Sequence, residues 1–200
     1  LVAKLLYGEA FRGPKPWDYT DGVGNAGLEP ERMRSAELAV SYLWHEGLRV
    51  EGSAYWNRLA GVLVKEVLDP GAPQDQWRWV NGGDVETVGV ELGVELMLGA
   101  ARAFANGTWT SSVDAPRVPV PEIAPLGANL GVGYHFTEQI RMNTWANLLG
   151  ERPSPNGIAA TGSAHLEPAM VLNGSLSFVE HDAFDFAVVV RNALDTVYWH

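Results

Sequence analysis

The chain of 200 residues contains no cysteine. This absence excludes a disulfide framework, thiol catalysis and thiolate metal ligands. Lysine and arginine form no run and the formal net charge is −10, so no surface that could displace counterions from nucleic acid is visible. No apolar stretch reaches the roughly 18 to 20 residues that a membrane-crossing helix needs. We therefore expect no direct nucleic-acid contact, no transmembrane segment and no signal peptide.

The common catalytic and cofactor motifs are also missing. The sequence has no P-loop, no Gly-x-Ser-x-Gly elbow and no His-Glu-x-x-His helix. The stretch Gly22–Gly27 fits a dinucleotide pattern, but a polar turn precedes it where that fingerprint needs a buried strand. His165 and His181 have carboxylates nearby without the spacing of a two-ligand motif, so we read them as rim residues. We predict no catalytic residue, no metal site and no cofactor.

Asn-Gly pairs are what the chain does have, at residues 81–82, 106–107, 156–157 and 173–174. Asparagine and glycine enter positive φ most cheaply, which a type I′ turn requires at both central positions. The pairs therefore predict β-hairpins in the C-terminal part of the chain.

Alternating apolar residues support this prediction. From Val88 to Leu98 every even position is apolar and most odd positions are Gly or Glu, which predicts a long strand with one buried face. The same period appears from Ser175 to Phe178 and from Phe184 to Arg191. The stretch from 131 to 149 is compatible with two strands or with a helix.

The N-terminal part has a different pattern. Leu1 to Ala10 and Pro30 to Gly47 carry apolar residues three and four positions apart, which predicts two helices. The predicted organisation is an N-terminal helical and loop region, 1–73, packed on an antiparallel β-barrel or sandwich, 76–200, together one compact domain. The predicted fold class is thus mainly β, a sandwich or jelly roll with an N-terminal helical segment.

The eight tryptophans exceed what a chain of this size buries comfortably. Trp77 and Trp79 flank Arg78 at strand spacing, so their rings share a face. Exposed aromatic residues are typical of interfaces. We predict that Trp77, Trp79, Trp109 and Trp199 line contacts with other proteins or with a glycan.

The end of the chain, His165–Phe178 followed by Phe184–Asn192, is similar to the last strands of jelly-roll coat proteins from icosahedral, membrane-containing phages and archaeal viruses. The resemblance implies a structural virion protein, either shell or capsid-associated, that assembles with copies of itself and other virion proteins. It also implies residence in the extracellular particle, without enzymatic activity.

A second resemblance keeps an alternative open. The opening Leu5–Ala10 resembles a cell-wall hydrolase family related to spore-cortex lytic enzymes, in which a Tyr-x-Glu-Ala segment carries a catalytic glutamate. This resemblance implies that Glu9 acts on a glycan, although glycoside hydrolysis usually needs a second carboxylate. The alternative function is a secreted glycan hydrolase or a carbohydrate-binding module.

Overall fold

The structure is a computed structural model that describes residues 1–45, 47–69, 76–114, 119–154, 164–180 and 184–198. Within these residues the chain forms thirteen strands and one short 3-10 helix, Pro16–Tyr19. The strands are β1 (Val2–Arg12), β2 (Glu31–Trp44), β3 (Leu48–Ala60), β4 (Leu63–Asp69), β5 (Gln76–Asn81), β6 (Val85–Leu98), β7 (Ala101–Asp114), β8 (Leu126–His135), β9 (Ile140–Leu149), β10 (Arg152–Pro153), β11 (His165–Leu166), β12 (Ala169–Glu180) and β13 (Phe184–Val190).

Nine of the described strands form one sheet, the main sheet, in the order β1-β2-β3-β6-β7-β8-β9-β12-β13. Each strand of this sheet is antiparallel to its neighbours, so the chain runs up and down across it. β4 with β5 and β10 with β11 form two separate hairpins. Each hairpin lies in the connection between two neighbouring strands of the main sheet. The hairpins therefore lengthen these connections and add no strand to the sheet.

The connections differ in length at the two ends of the main sheet. Residues 45–47, 99–100, 136–139 and 181–183 make the connections at one end, the short-turn end. Residues 13–30, 61–84, 115–125 and 150–168 make those at the other end, the long-loop end, and include both hairpins. The main sheet therefore has short connections at one end and long connections at the other.

The strand register separates the side chains into two classes. Val90 lies opposite Ala54 of β3 and opposite Trp109 of β7, and Leu130 lies opposite Ala105 of β7 and opposite Ala146 of β9. Directly paired residues project from the same side of a sheet. Rows of this kind run from β1 to β13 and give the main sheet one mainly apolar face, the apolar face, and one face richer in polar residues and glycine, the polar face.

Few apolar side chains are buried. Within the described residues the buried hydrophobic side chains are Leu28, Ala146 and Leu166. On the apolar face, Leu92 is 63% exposed and Leu98 is 65% exposed. The expected alternation in β6 is confirmed, but the apolar side of that strand is not buried by this chain.

No helix among the described residues is long and apolar enough to cross a membrane.

The two predicted N-terminal helices are wrong, because these segments form β1 and β2. On β2 the residues Ala36, Leu38, Val40, Tyr42 and Trp44 share the apolar face. The helical spacing arose because Met33, Ala39 and Leu43 on the polar face are also apolar. Pairing along eleven residues of β1 and thirteen of β3 outweighs this local pattern.

The jelly-roll or sandwich arrangement is also wrong, since neighbours in the main sheet follow the chain order without the long crossovers of a Greek key. The strands predicted near the end are confirmed as β12 and β13, and residues 131–149 form β8, a turn and β9. The boundary predicted at 73–76 falls between β4 and β5, where 70–75 lie outside the described residues, and it stays a prediction.

Two of the Asn-Gly turn predictions are wrong as well. Asn106-Gly107 lies inside β7 and Asn173-Gly174 lies inside β12. Asn81-Gly82 does end β5, while 156–157 lie outside the described residues. The tight turn after β2 instead uses His45 at φ 55°, and the turn after β6 uses Gly99 at φ 58°.

Aromatic rings cover glycines on the polar face. Tyr55 of β3 crosses Gly89 of β6 and reaches Thr110 of β7, where the two hydroxyl oxygens are 2.8 Å apart. A Cβ at Gly89 would lie 2.4 Å from the Tyr55 ring and 2.8 Å from the Trp109 carbonyl oxygen. The Tyr55 ring thus occupies the space that a side chain at residue 89 would need.

This packing predicts different effects for two glycines of β6. Gly89→Ala should lower the free energy of unfolding by about 1 to 3 kcal/mol, because the ring must leave its position. Gly93→Ala is the control, since its Cβ would meet only the Asn106 Cβ at 3.9 Å. Urea unfolding followed by tryptophan fluorescence compares them, and equal midpoints would contradict the packing argument.

Candidate functional site

Large aromatic side chains stand at both ends of the apolar face. Tyr42, Trp44, Tyr134, Phe178 and Phe186 lie toward the short-turn end. Phe11, Trp56 and Trp109 lie toward the long-loop end. Between these two sets the apolar face carries mainly Val, Leu and Ala. The face is therefore an aliphatic band bordered at both ends by aromatic rings.

The polar face carries charged pairs on its first half. Arg49 and Glu51 are 2.6 Å apart, Arg102 and Glu95 are also 2.6 Å apart, and Arg12 pairs with Glu31. Glu31 is only 4% exposed and also accepts a hydrogen bond from the Leu63 amide. Its burial is thus compensated by a cation and a backbone donor.

The second half of the polar face carries a row of asparagines, the amide row, formed by Asn106, Asn129, Asn147 and Asn173. Asn129 Nδ2 donates to Asn106 Oδ1 at 2.9 Å, Asn147 Nδ2 to Asn129 Oδ1 at 2.6 Å, and Asn173 Nδ2 to Asn147 Oδ1 at 3.2 Å. The backbone amide of Asn192 donates to Asn173 Oδ1 at 3.1 Å. The row therefore crosses β7, β8 and β9 at one level and continues diagonally to β12, where Val171 lies directly opposite Asn147.

The first long connection is bonded to the β4–β5 hairpin. The Val23 amide donates to the Trp77 carbonyl at 2.9 Å, and Asn25 Nδ2 donates to the Trp79 carbonyl at 2.9 Å. Asn81 accepts from the Glu29 amide at 2.8 Å and donates to the Glu29 carbonyl at 2.8 Å. It also donates to the Gly61 carbonyl at 2.9 Å. These bonds join the two connections into one unit.

An ion pair supports the base of this unit. Arg58 near the end of β3 lies 2.6 Å from Asp84, which also accepts from the Gly61 amide at 3.3 Å. The hydrogen bonds from Arg58 and Gly61 hold the pKa of the Asp84 carboxyl below its usual range. The pair is well exposed, so we expect it to contribute little beyond positioning the hairpin.

Trp77 and Trp79 share a face of the β4–β5 hairpin, as their spacing predicted. Their ring centroids are 5.6 Å apart in an edge-to-face arrangement, and Lys65 Nζ lies 4.0 Å from the Trp77 ring centroid. Trp109 lies instead on the apolar face of the main sheet, and Trp199 lies outside the described residues. Their role as protein contacts stays a prediction.

The remaining residues singled out from the sequence do not come together. Glu9 lies on the apolar face of β1, where it accepts a hydrogen bond from Tyr7 at 2.5 Å and lies 3.3 Å from Arg34. His165 lies 3.0 Å from Glu151, and His181 lies outside the described residues. Gly22–Gly27 forms part of the loop that packs on β5. Within the described residues no group of acidic or histidine side chains could hold a metal ion.

Sequence reasoning missed the amide row. Asn106 and Asn173 were read as turn residues, while Asn129 and Asn147 were given no role. The sequence feature that could have revealed them is their position in the alternation. Each of the four occupies a polar position in a strand whose alternate residues are mainly apolar. Asparagine is rare inside strands, so three of them at one level with a fourth hydrogen bonded diagonally indicate a specific use.

A family model described as "TonB dependent receptor-like, beta-barrel" matches residues 2–193. A comparison with curated proteins finds no match. Solved structures do match. The copper transporter OprC has a TM-score of 0.77 at 18% identity over 98% of this chain and 32% of its own.

Two further solved structures are similar over nearly the whole chain. The FrpB iron transporter from Neisseria meningitidis (F3-3 variant) has a TM-score of 0.76 at 16% identity, covering 98% of this chain and 33% of its own. The siderophore receptor PirA from Acinetobacter baumannii has a TM-score of 0.77 at 16% identity, covering 96% and 34%. The chain thus spans about a third of the length of these proteins, with which it shares the fold.

These findings overturn the functional interpretation of the sequence. The resemblance to phage and archaeal-virus coat proteins is wrong, and so are the virion location and the virion partners inferred from it. The glycan hydrolase alternative built on Glu9 is wrong too. TonB-dependent receptors are transporters and not enzymes, which confirms the non-enzymatic assignment. The misleading signal was the alternating pattern, which a coat barrel and a receptor barrel share.

The bonds of Asn81 predict how loop 13–30 is held. Asn81→Ala removes three hydrogen bonds and should lower the local opening free energy near Glu29 and Gly61 by about 1 to 3 kcal/mol. Amide hydrogen exchange at these residues should become correspondingly faster. Mass spectrometry of exchanged peptides measures this. Thr20→Ala, which loses one bond of 3.3 Å to the Trp17 carbonyl, is the control. Unchanged protection of residue 29 in the Asn81 variant would contradict the coupling.

Proposed function

Because the chain belongs to the TonB-dependent receptor-like β-barrel family, we propose that it forms part of the wall of an outer-membrane receptor that imports a chelated metal ion. The observation that carries this proposal is the division of the main sheet into one apolar and one polar face. An outer-membrane barrel turns an apolar band toward lipid and a polar surface toward its interior. The exposed leucines and valines of the apolar face would then contact hydrocarbon rather than water.

The height of the apolar band supports this placement. Trp56 pairs with Ala36, which is eight residues from Trp44 on β2. Trp109 pairs with Leu126, which is eight residues from Tyr134 on β8. Eight residues span about 27 Å along a strand, or about 20 Å of height at a tilt near 40°. Outer-membrane barrels have an apolar band of about 25 Å between two aromatic girdles.

The connections suggest an orientation. Such barrels have short turns on the periplasmic side and longer loops outside the cell. We therefore place the long-loop end, with the unit formed by loop 13–30 and the β4–β5 hairpin, at the extracellular surface. A unit fixed by hydrogen bonds can meet an incoming ligand without a large ordering cost.

The two edges of the main sheet fit a wall segment. Among the described residues β1 and β13 each pair with a neighbour on one side, and every described side chain of both strands is exposed. Unpaired backbone groups are not tolerated in hydrocarbon, so a membrane sheet has to close. We infer that further strands of the same receptor pair with both edges.

The cargo is inferred from the similar structures. One is named a copper transporter, one an iron transporter and one a siderophore receptor. We therefore infer that the receptor takes up a metal complex from outside the cell. From the family description we infer that this import depends on TonB.

A pair of adjacent residues on β6 tests the lipid-facing assignment. Leu92→Arg places a cation in the middle of the apolar band and should cost about 2 to 4 kcal/mol of folding stability in a bilayer. Glu91→Arg introduces the same side chain on the polar face and should cost less than half as much. Urea titration of protein folded into lipid vesicles measures both. Equal costs would exclude the proposed orientation of the faces.

Loss of the gene tests the transport function. In the organism that carries it, deletion should lower accumulation of iron or copper supplied as an extracellular chelate at least severalfold, and a plasmid copy should restore it. Disrupting TonB should have the same effect, because import through such a receptor needs that energy source. Accumulation that is independent of both the gene and TonB would refute the proposal.

A further inference from the structure

Three arginines lie together at one corner of the apolar face, and we call them the arginine patch. Arg32 and Arg34 on β2 and Arg58 on β3 belong to this face near the long-loop end, and Arg34 lies directly opposite Arg58. Within the described residues, the main sheet has no other lysine or arginine on its apolar face. A face that is otherwise apolar thus concentrates its cations at a single place.

The arginine patch lies just beyond the aromatic border. Trp56 belongs to this border and pairs with Ala36. The pair formed by Arg58 and Arg34 lies two residues farther toward the long-loop end. Two residues span about 7 Å along a strand, or about 5 Å of height at a tilt near 40°. In the proposed orientation the patch is therefore at the level of the lipid head groups, on the extracellular side of the hydrocarbon.

The direct pairing of Arg34 with Arg58 is unfavourable unless anions are close. Residues directly opposite on antiparallel strands have Cβ atoms about 5 Å apart, and like charges in that position repel each other. Glu9 lies 3.3 Å from Arg34, and Asp84 lies 2.6 Å from Arg58. A guanidinium has five N–H donors, so one carboxylate leaves donors on each of these arginines for a further anion.

Arg32 is exposed and forms no hydrogen bond or ion pair within the described residues. A third carboxylate of this corner, Glu86, accepts a hydrogen bond from Trp56 Nε1 at 2.7 Å. Three carboxylates thus accompany three arginines, and the patch produces no strong long-range field. What it offers is a fixed group of guanidinium donors, and arginine binds phosphate through such short, bidentate contacts.

We propose that the arginine patch binds a phosphate group of lipid A, the phosphorylated glycolipid that anchors lipopolysaccharide in the outer leaflet of a bacterial outer membrane. Arg34 and Arg58 hold the phosphate between them, and Arg32 donates to it from the next position on the same face. The acyl chains lie on the aliphatic band, where Leu38 and Val90 are exposed. Basic sites at membrane surfaces commonly bind lipid head groups. This inference rests on the proposed orientation of the wall.

The first test compares three lipids on the receptor as its host makes it, purified in detergent and washed free of lipopolysaccharide. The probes are lipid A with two phosphates, the same lipid after removal of both phosphates, and phosphatidylglycerol, each with radioactive acyl chains. We expect intact lipid A to bind at least about tenfold more tightly than either of the others. Excess inorganic phosphate should displace little of it, because phosphate alone lacks the acyl chains.

Each opposite result would overturn the inference. Equal binding of dephosphorylated lipid A would exclude the phosphate contact. Equal or tighter binding of phosphatidylglycerol would exclude lipid A as the preferred lipid. Displacement of lipid A by inorganic phosphate would make free phosphate the ligand of the patch.

Substitutions then test the contact itself. Arg34→Gln combined with Arg58→Gln should weaken lipid A binding at least about tenfold. The control combines Arg49→Gln with Arg102→Gln, which breaks two similarly exposed ion pairs on the polar face and should leave the affinity unchanged. Arg32→Gln breaks no bond within the described residues. It should weaken binding about three- to tenfold without changing the midpoint of unfolding. Equal losses in the two double variants, or full affinity in the Arg32 variant, would overturn the proposed site.

The outcomes separate this inference from the proposed function. If Leu92→Arg costs more stability than Glu91→Arg while lipid A shows no preference for the patch, the lipid site is wrong and the wall segment stands. If the two substitutions on β6 cost the same, the lipid-facing assignment is lost and this inference is lost with it.

Discussion

The antiparallel register of the main sheet is the constraint on which the other features depend. Each strand is hydrogen bonded to the next so that apolar residues meet apolar residues, as Leu38 meets Leu5 and Ala54. A slip of one residue in any pair would move a whole strand's apolar set to the polar face. The apolar band, the aromatic borders and the amide row all exist only in this register.

The near absence of a core follows from the same constraint. A single sheet has two faces, and among the described residues neither face of this one is covered by a helix or by a second sheet. Its described apolar side chains therefore stay exposed, although 46% of the chain is hydrophobic. In water this surface would drive association. Against lipid this surface would need no protein cover. The composition is thus that of an ordinary globular protein, whereas the placement of apolar side chains on the surface is not.

The sequence predicts strands well where one residue type dominates each face. β6 alternates Val and Leu with Gly and Glu, and the prediction for it was right. β2 failed because Met33, Ala39 and Leu43 make its polar face partly apolar, which mimics a helical period. The bonds between loop 13–30 and the hairpin could not be predicted, because Asn81 and Glu29 are far apart in the sequence and meet only when β2, β3 and β6 pair. The turns predicted at Asn106 and Asn173 were wrong for a related reason, because the local turn preference of Asn-Gly was given precedence over the alternating pattern around it.

Period two alone does not distinguish a coat barrel from a receptor barrel, because both put apolar residues on alternate positions. What differs is the location of aromatic residues along each strand and the length of successive connections. In this chain Trp109 and Tyr134 lie on the apolar face at opposite ends of neighbouring strands, as two membrane interfaces require. Successive connections are alternately short and long, so the short ones lie at one end of the main sheet and the long ones lie at the other. A jelly roll with long crossovers produces neither regularity. The position of the aromatic residues is therefore the stronger signal, and it can be read only after the register has been established.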